Sequence, residues 1–415
     1  MTKLYFCTIK LFILNSEPSI VAHKTDLAKN TVFSILFAIS FAHLLNDLIQ
    51  AIIPSIYPIL KQNYNLTFSQ IGLITFAFQL SASLLQPFVG YYTDKHPKPF
   101  SQIYGMLFSM AGIVSLSFAN NFSWILFSVV LIGIGSSVFH PEAARISNMA
   151  SGGRRGLAQS IFQVGGNFGT ALGPLLVALI VVPNSQKYIL WFVIAAVIAL
   201  GIISKIAFWY RDHLVLKNNI IPTYIDFHTL SKAKVKIAFL ILLIIIFSKF
   251  FYTASLSTYY TFYVMDKFNL SIKQAQFHMF IYLIAYALGT ILGGPLGDKI
   301  GRKYVIWLSV FGAAPFALLL PYVNLFWTDV LMITIGIIMS SAFPAMIVYA
   351  QELVPKKLGM VSGIFYGFAF GMAAIGSALL GFLADATSIQ YVYYVCSYLP
   401  LIGIICYFLP NLKKK

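Results

Sequence analysis

Apolar runs long enough to cross a lipid bilayer dominate this sequence. About 20 consecutive apolar residues suffice for one helical crossing. Twelve such runs follow one another, at residues 32–60, 69–92, 101–119, 122–149, 157–182, 188–209, 237–265, 274–296, 303–322, 325–350, 358–383 and 389–409. In lipid the backbone N–H and C=O groups find no water, so each run must satisfy its own as a helix. The expected fold is an all-α polytopic membrane protein. Charge usage agrees: 10% of residues are charged and 59% hydrophobic, where a soluble domain carries about 25% charged. Residues 1–30 hold one short apolar patch, LFILN, and no small-residue cleavage site. They read as a cytoplasmic extension rather than a removed signal peptide.

A net charge of +16 would suit nucleic acid as a partner, but the placement of the charge argues against it. With the N-terminus inside, the cytoplasmic connections collect Lys95, Lys98, Arg154, Arg155, Lys299, Arg302, Lys303, Lys356, Lys357 and the tail Lys413–Lys415, while the outside loops hold only Lys61, Lys187, Lys267 and Lys273. This is the positive-inside asymmetry, and it puts both termini in the cytoplasm. A polar stretch at 210–236 separates six runs from six. The expected layout is an N-terminal bundle at 31–209, a cytoplasmic linker at 210–236, a C-terminal bundle at 237–410 and a basic tail at 411–415. Cys7, Cys396 and Cys406 have no metal-ligand spacing, so neither a disulfide framework nor a metal site is expected.

The two halves repeat one another. Gly90, Asp94 and Lys95 after the second run match Gly294, Asp298 and Lys299 after the eighth at one constant offset. "SSVFHPEAARI" in the fourth run matches "SSAFPAMIVYA" in the tenth with a single gap, and "GLAQSIF" matches "GMVSGIF". A same-orientation repeat of six spans marks a transporter with two rocking halves.

These residues resemble the major facilitator superfamily. Its loop signature, Gly-x-x-x-Asp-Lys/Arg-x-Gly-Arg-Lys, is complete at Gly294, Asp298, Lys299, Gly301, Arg302 and Lys303. The first copy departs from it, with His96-Pro97-Lys98-Pro99 in place of the Gly-Arg-Lys end. Gly169, Gly173 and Pro174 match the family's antiporter pattern on the fifth span. The stretches "FAHLLNDLIQ", "LTFSQIGLITFAFQLSASLLQPFVGYYTDK", "GSSVFHPEAAR" and "ASGGRRGLAQSIFQVGGNFGTALGPLL" are similar to the fosmidomycin-resistance branch of drug exporters. The resemblance implies two pseudo-symmetric six-helix bundles in a bacterial inner membrane, a monomer, and efflux of small, anionic, phosphonate-like drugs driven by protons without any cofactor.

Ionisable groups inside apolar runs are the candidate chemistry, because a charge at the bilayer centre costs about 2.5–3.5 kcal/mol on insertion scales and persists only with a function or a partner. His43 and Asp47 lie four apart on one helical face, near the middle of the first run. Asp47 is the first candidate for a proton carrier; the alternative is a hydrogen-bond partner that fixes helix packing. Glu142 and Arg145 lie three apart, just after Pro141. They form either a switch, in which protonated Glu142 releases Arg145 to an anion or to Asp47, or a static ion pair. His140 can relay protons, since histidine titrates near neutrality, or can simply bridge helices.

In the second half Ala345 and Val348 take the places of Glu142 and Arg145, so the titratable groups concentrate in the N-terminal half. Lys249 is the exception. A lone ammonium among aromatics either recognises an anionic substrate or snorkels to an interface. Tyr252 and Tyr259 beside it, with Gln86, Gln163 and Asn167, are candidate cavity residues or helix bridges. Gly165, Gly166, Gly169 and Gly173 read first as close-packing positions. Asp94, Lys95, Gly294, Asp298, Lys299 and Arg302 are candidate gate latches.

No nucleophile–base pair, His-Glu-x-x-His or phosphate-binding Gly-x-x-x-x-Gly-Lys-Ser/Thr is present, which disfavours an enzyme or an ATP-driven pump. The expected function is a proton-coupled exporter. The alternative is a proton-coupled uptake symporter of a small organic anion on the same fold.

Overall fold

The computed structural model describes residues 31–217, 231–354 and 358–412; the expected N-terminal extension, residues 218–230 of the linker and residues 413–415 of the tail lie outside them. Among the described residues every regular element is helical. Eleven helices are long and apolar enough to span a bilayer: Phe33–Tyr64, Phe68–Thr93, Ser101–Phe118, Phe122–Met149, Gly156–Val181, Gln186–Leu214, Lys232–Phe268, Arg302–Tyr322, Leu325–Leu353, Gly363–Ala386 and Ile389–Phe408. The helix Ile272–Ile300 falls between the seventh and eighth of these, at the eighth expected crossing. We number the twelve in chain order as spans one to twelve. The sixth helix runs on to Lys217 and the seventh begins at Lys232, both inside the stretch read as linker.

Local chemistry sets several helix ends. Thr67 caps span two, accepting from the Gln70 amide while the Gln70 side chain accepts from the Thr67 amide. Asn121 and Asn324 cap spans four and ten through their side chains. Each cap satisfies amides that the first helical turn leaves without partners. Gly301 opens span nine at φ 95°, a left-handed conformation that favours glycine.

Span one packs along span five, and spans three and four pack on each other, building the N-terminal half. In the C-terminal half span seven packs on eleven and twelve, and span eight on ten. The halves meet mainly through span two against eleven and span five against eight. Large apolar side chains such as Phe127, Trp191, Ile194, Val197 and Ile404 point outward. They form the surface that lipid covers.

The described hydrogen bonds between halves are tighter on the face away from the termini. There the Asp385 carboxylate, at the end of span eleven, accepts from the amides of Phe68 (2.9 Å) and Ser69 (2.7 Å) and from the Ser69 hydroxyl. Gln276 Nε2 donates to the Ser55 carbonyl at 2.8 Å. On the termini face Gln159 Nε2 reaches the Tyr366 hydroxyl at 3.4 Å. Among the described residues the far face is thus the more firmly tied.

Candidate functional site

Near the middle of span one, His43 and Asp47 share a face, as their i, i+4 spacing requires. His43 Nε2 lies 3.2 Å from Asp47 Oδ2. Span four brings His140 to the same carboxylate, with Nε2 3.5 Å from Oδ1. His43 is 3% exposed, while Asp47 is 19% and His140 14% exposed. The cluster is sunk in the half, with Asp47 and His140 partly exposed.

Both rings are fixed from behind. His43 Nδ1 sits 2.8 Å from the Phe162 carbonyl and His140 Nδ1 3.1 Å from the Ser136 carbonyl. A carbonyl oxygen only accepts, so each Nδ1 carries the hydrogen and each Nε2 is turned to Asp47. Two bare lone pairs facing each other would repel. A proton on the imidazole or on the carboxyl would relieve that repulsion at either ring. The rest of the network has a direction too: the Ser136 hydroxyl donates to Gln50 Oε1 (3.1 Å), and Gln50 Nε2 (3.2 Å) and Asn46 Nδ2 (3.0 Å) donate to Asp47 Oδ1. His43 also stacks on the Phe162 ring at 4.0 Å. Span five passes so close that a Cβ on Gly166 would sit 2.5 Å from His43 Nε2 and 2.7 Å from Asp47 Oδ2.

Two imidazoles and a carboxylate whose ligand atoms lie within 4.8 Å of one another form a donor set that a divalent metal can accept. The side-chain amides of Asn46 and Gln50 both donate to Asp47 Oδ1 and hold that carboxylate in place.

The other acid–base pair is separate. Glu142 is fully buried, 3.4 Å from Arg145 Nη1. Arg145 turns away from Asp47 toward span two, donating to the Thr93 carbonyl, to the Thr93 hydroxyl (3.1 Å) and to the Gly90 carbonyl (3.4 Å), and toward span six at the Tyr210 hydroxyl (3.3 Å). The pair ties spans two, four and six at the termini face.

Lys249 lies in span seven, 1% exposed. Its Nζ has no hydrogen-bond partner among the described residues; the Phe250 and Phe343 rings lie 5.7 and 6.0 Å away. Among the described residues nothing bonds the hydroxyl of buried Tyr252 or the Nε2 of buried Gln86. Tyr259 instead donates to the Ser377 carbonyl at 2.6 Å, toward the far face. Asn167 bridges the halves to the Thr290 hydroxyl at 2.7 Å. Gln163 is half-buried in span five. Among the candidate latches, Lys95 is exposed with its ammonium on the Tyr91 hydroxyl, and Arg302 pairs with Glu352 at 2.8 Å. The side chains of Asp94, Gly294, Asp298 and Lys299 lie outside the described residues.

Several contributors carry no mark that the sequence reading used. Asn46, Gln50 and Ser136 complete the Asp47 network, and Gly166 makes room for it. Asp385 caps a helix of the opposite half. Glu352 partners Arg302, and His278 meets Asp329 at 2.7 Å between spans eight and ten.

Comparison with known proteins agrees with this architecture. The model of the Major Facilitator Superfamily matches residues 39–271 and again 239–415, one copy per half, and the chain belongs to that family of multi-pass membrane transporters. It is 54% identical over 400 residues, 96% of this chain and 98% of the relative, to the fosmidomycin resistance protein of Escherichia coli (strain K12). It is 43% identical, over 92% of this chain and 94% of the relative, to the uncharacterized MFS-type transporter YfnC of Bacillus subtilis (strain 168). Among solved structures the E. coli fucose:proton symporter FucP shares the fold, with a TM-score of 0.64 at 15% identity over 91% of this chain and 98% of that one.

Proposed function

We propose that this protein exports small anionic drugs of the fosmidomycin type from the cytoplasm in exchange for protons, by alternating access in a bacterial cytoplasmic membrane. The termini face would be the cytoplasmic one, as the lysine and arginine asymmetry favours. The relative named for fosmidomycin resistance supports the drug class. The observation that carries the coupling is the His43–Asp47–His140 cluster.

The cluster suits exchange because its proton count can change without rebuilding it. Asp47 meets one imidazole on each oxygen. With one proton between His43 and Asp47 the carboxylate keeps a place for a second toward His140. Taking up that second proton changes the charge at the interface of spans one, four and five. His140 is also in ring contact with Phe370 of span eleven at 6.4 Å, so a change there is felt by the opposite half. Arg145 and Glu142 hold spans two, four and six together while that interface changes. Asp385 and Gln276 fasten the far face while the cytoplasmic face is open, and they must release when it closes. The protein itself contributes no cofactor to these steps; the proton gradient supplies the work.

Everted vesicles test the proposal. An imposed pH gradient, acid inside, drives uptake of a radiolabelled phosphonate, and substrate added to acid-loaded vesicles releases protons. Uptake that persists unchanged after the gradient is collapsed with nigericin refutes proton coupling.

A further inference from the structure

Lys249 presents a problem that the proton site does not solve. Its ammonium is buried, yet no carboxylate or carbonyl accepts from it among the described residues. Aromatic faces at 5.7 and 6.0 Å compensate a desolvated cation only in part. One turn further along the same helix face, Tyr252 buries a second donor with no acceptor among the described residues. Two buried donors three residues apart, without acceptors among the described residues, call for a ligand that offers lone pairs and a negative charge, which is the description of an oxyanion.

The location is equally specific. At the offset that carries Ser136 to Ser340, Lys249 falls opposite Leu45, between His43 and Asp47. The acid of one half and the base of the other thus occupy matching depths in the first span of each bundle. A row of rings joins them: Phe343 beside Lys249, Tyr366 at 5.1 Å from Phe343, Phe370 at 6.3 Å from Tyr366, and His140 at 6.4 Å from Phe370.

We propose that Lys249 and Tyr252 form the oxyanion subsite of the transported substrate, within the C-terminal half and apart from the proton site. The ammonium takes the charged oxygens of a phosphonate or phosphate group, and the Tyr252 hydroxyl donates the second hydrogen bond. The remainder of the substrate lies along the Phe343–Tyr366–Phe370 row toward His140. This subsite rests on the transport reading for its physiological meaning. Its binding chemistry can be measured separately.

Full-length protein in nanodiscs is titrated with methylphosphonate and with inorganic phosphate, following intrinsic fluorescence and thermal stabilisation. Tetraphenylphosphonium serves as a cationic control. Wild type binds both anions, Lys249→Met weakens them by at least about tenfold, Lys249→Arg keeps part of the affinity, and Tyr252→Phe weakens them by about threefold. Asp47→Asn keeps methylphosphonate binding while losing gradient-driven uptake, so the two readings fail independently. Unchanged anion affinity in Lys249→Met overturns the subsite. So does unchanged affinity in both Lys249→Arg and Tyr252→Phe, should the methionine variant not fold. Binding of tetraphenylphosphonium that competes with phosphate overturns it as well.

Discussion

Asp47 and Lys249 sit at matching depths of the two halves, and their surroundings are opposite. Asp47 is met by two imidazoles and two amides; Lys249 is met by two aromatic faces. A buried charge with partners is part of the structure, and removing it leaves those partners unsatisfied. A buried charge without partners is a standing cost that the fold tolerates, and removing it relieves the fold. The difference is what the two proposed roles require: Asp47 working through the protein, Lys249 meeting a ligand.

The contrast predicts stability changes of opposite sign. The largest is expected for Asp47→Ala, which strips both histidines and both amides of their acceptor and costs about 3–5 kcal/mol; a fall in the melting temperature of detergent-purified protein measures it. Gly166→Ala comes next, because the added methyl presses on His43 and Asp47. Overpacking of this kind costs about 1–3 kcal/mol, and transport is lost with it. Lys249→Met should stabilise the ligand-free protein by about 1–2 kcal/mol, read as a rise in its melting temperature. A fall would mean that Lys249 has a structural partner and that the comparison is wrong. Smallest is Asp385→Asn, which replaces charge-assisted bonds to Phe68 and Ser69 with neutral ones, a loss of about 1 kcal/mol. It shifts the open–closed equilibrium of the far face rather than stability, and thiol labelling of a cysteine placed at Ser377 from the outside should speed up about fivefold.

How much of this was legible beforehand depends on how local the signal is. The spans were readable because hydrophobic length is a property of contiguous residues: the fourth expected run and its helix coincide at residues 122–149. His43 and Asp47 were readable as a pair because helical spacing places i and i+4 together. That His140 would join them, and Glu142 would not, was not readable. Both lie on span four, and only the packing of that span against spans one and two sends His140 to Asp47 and Arg145 to Thr93.

Asp385 was missed for a different reason. Its partners are the main-chain amides of Phe68 and Ser69, which leave no trace in side-chain chemistry. Gly166 reads from the sequence as a packing glycine, and what packs against it is His43 and Asp47.

The central claim is that Asp47 couples proton movement to substrate movement, and it is tested most directly in proteoliposomes holding Asp47→Asn. Two fluxes of a radiolabelled phosphonate are compared with wild type: accumulation driven by a pH gradient, and exchange of labelled for unlabelled substrate with no gradient. Loss of gradient-driven accumulation by about a hundredfold with exchange preserved is the predicted result. Accumulation at the wild-type rate in Asp47→Asn would contradict it.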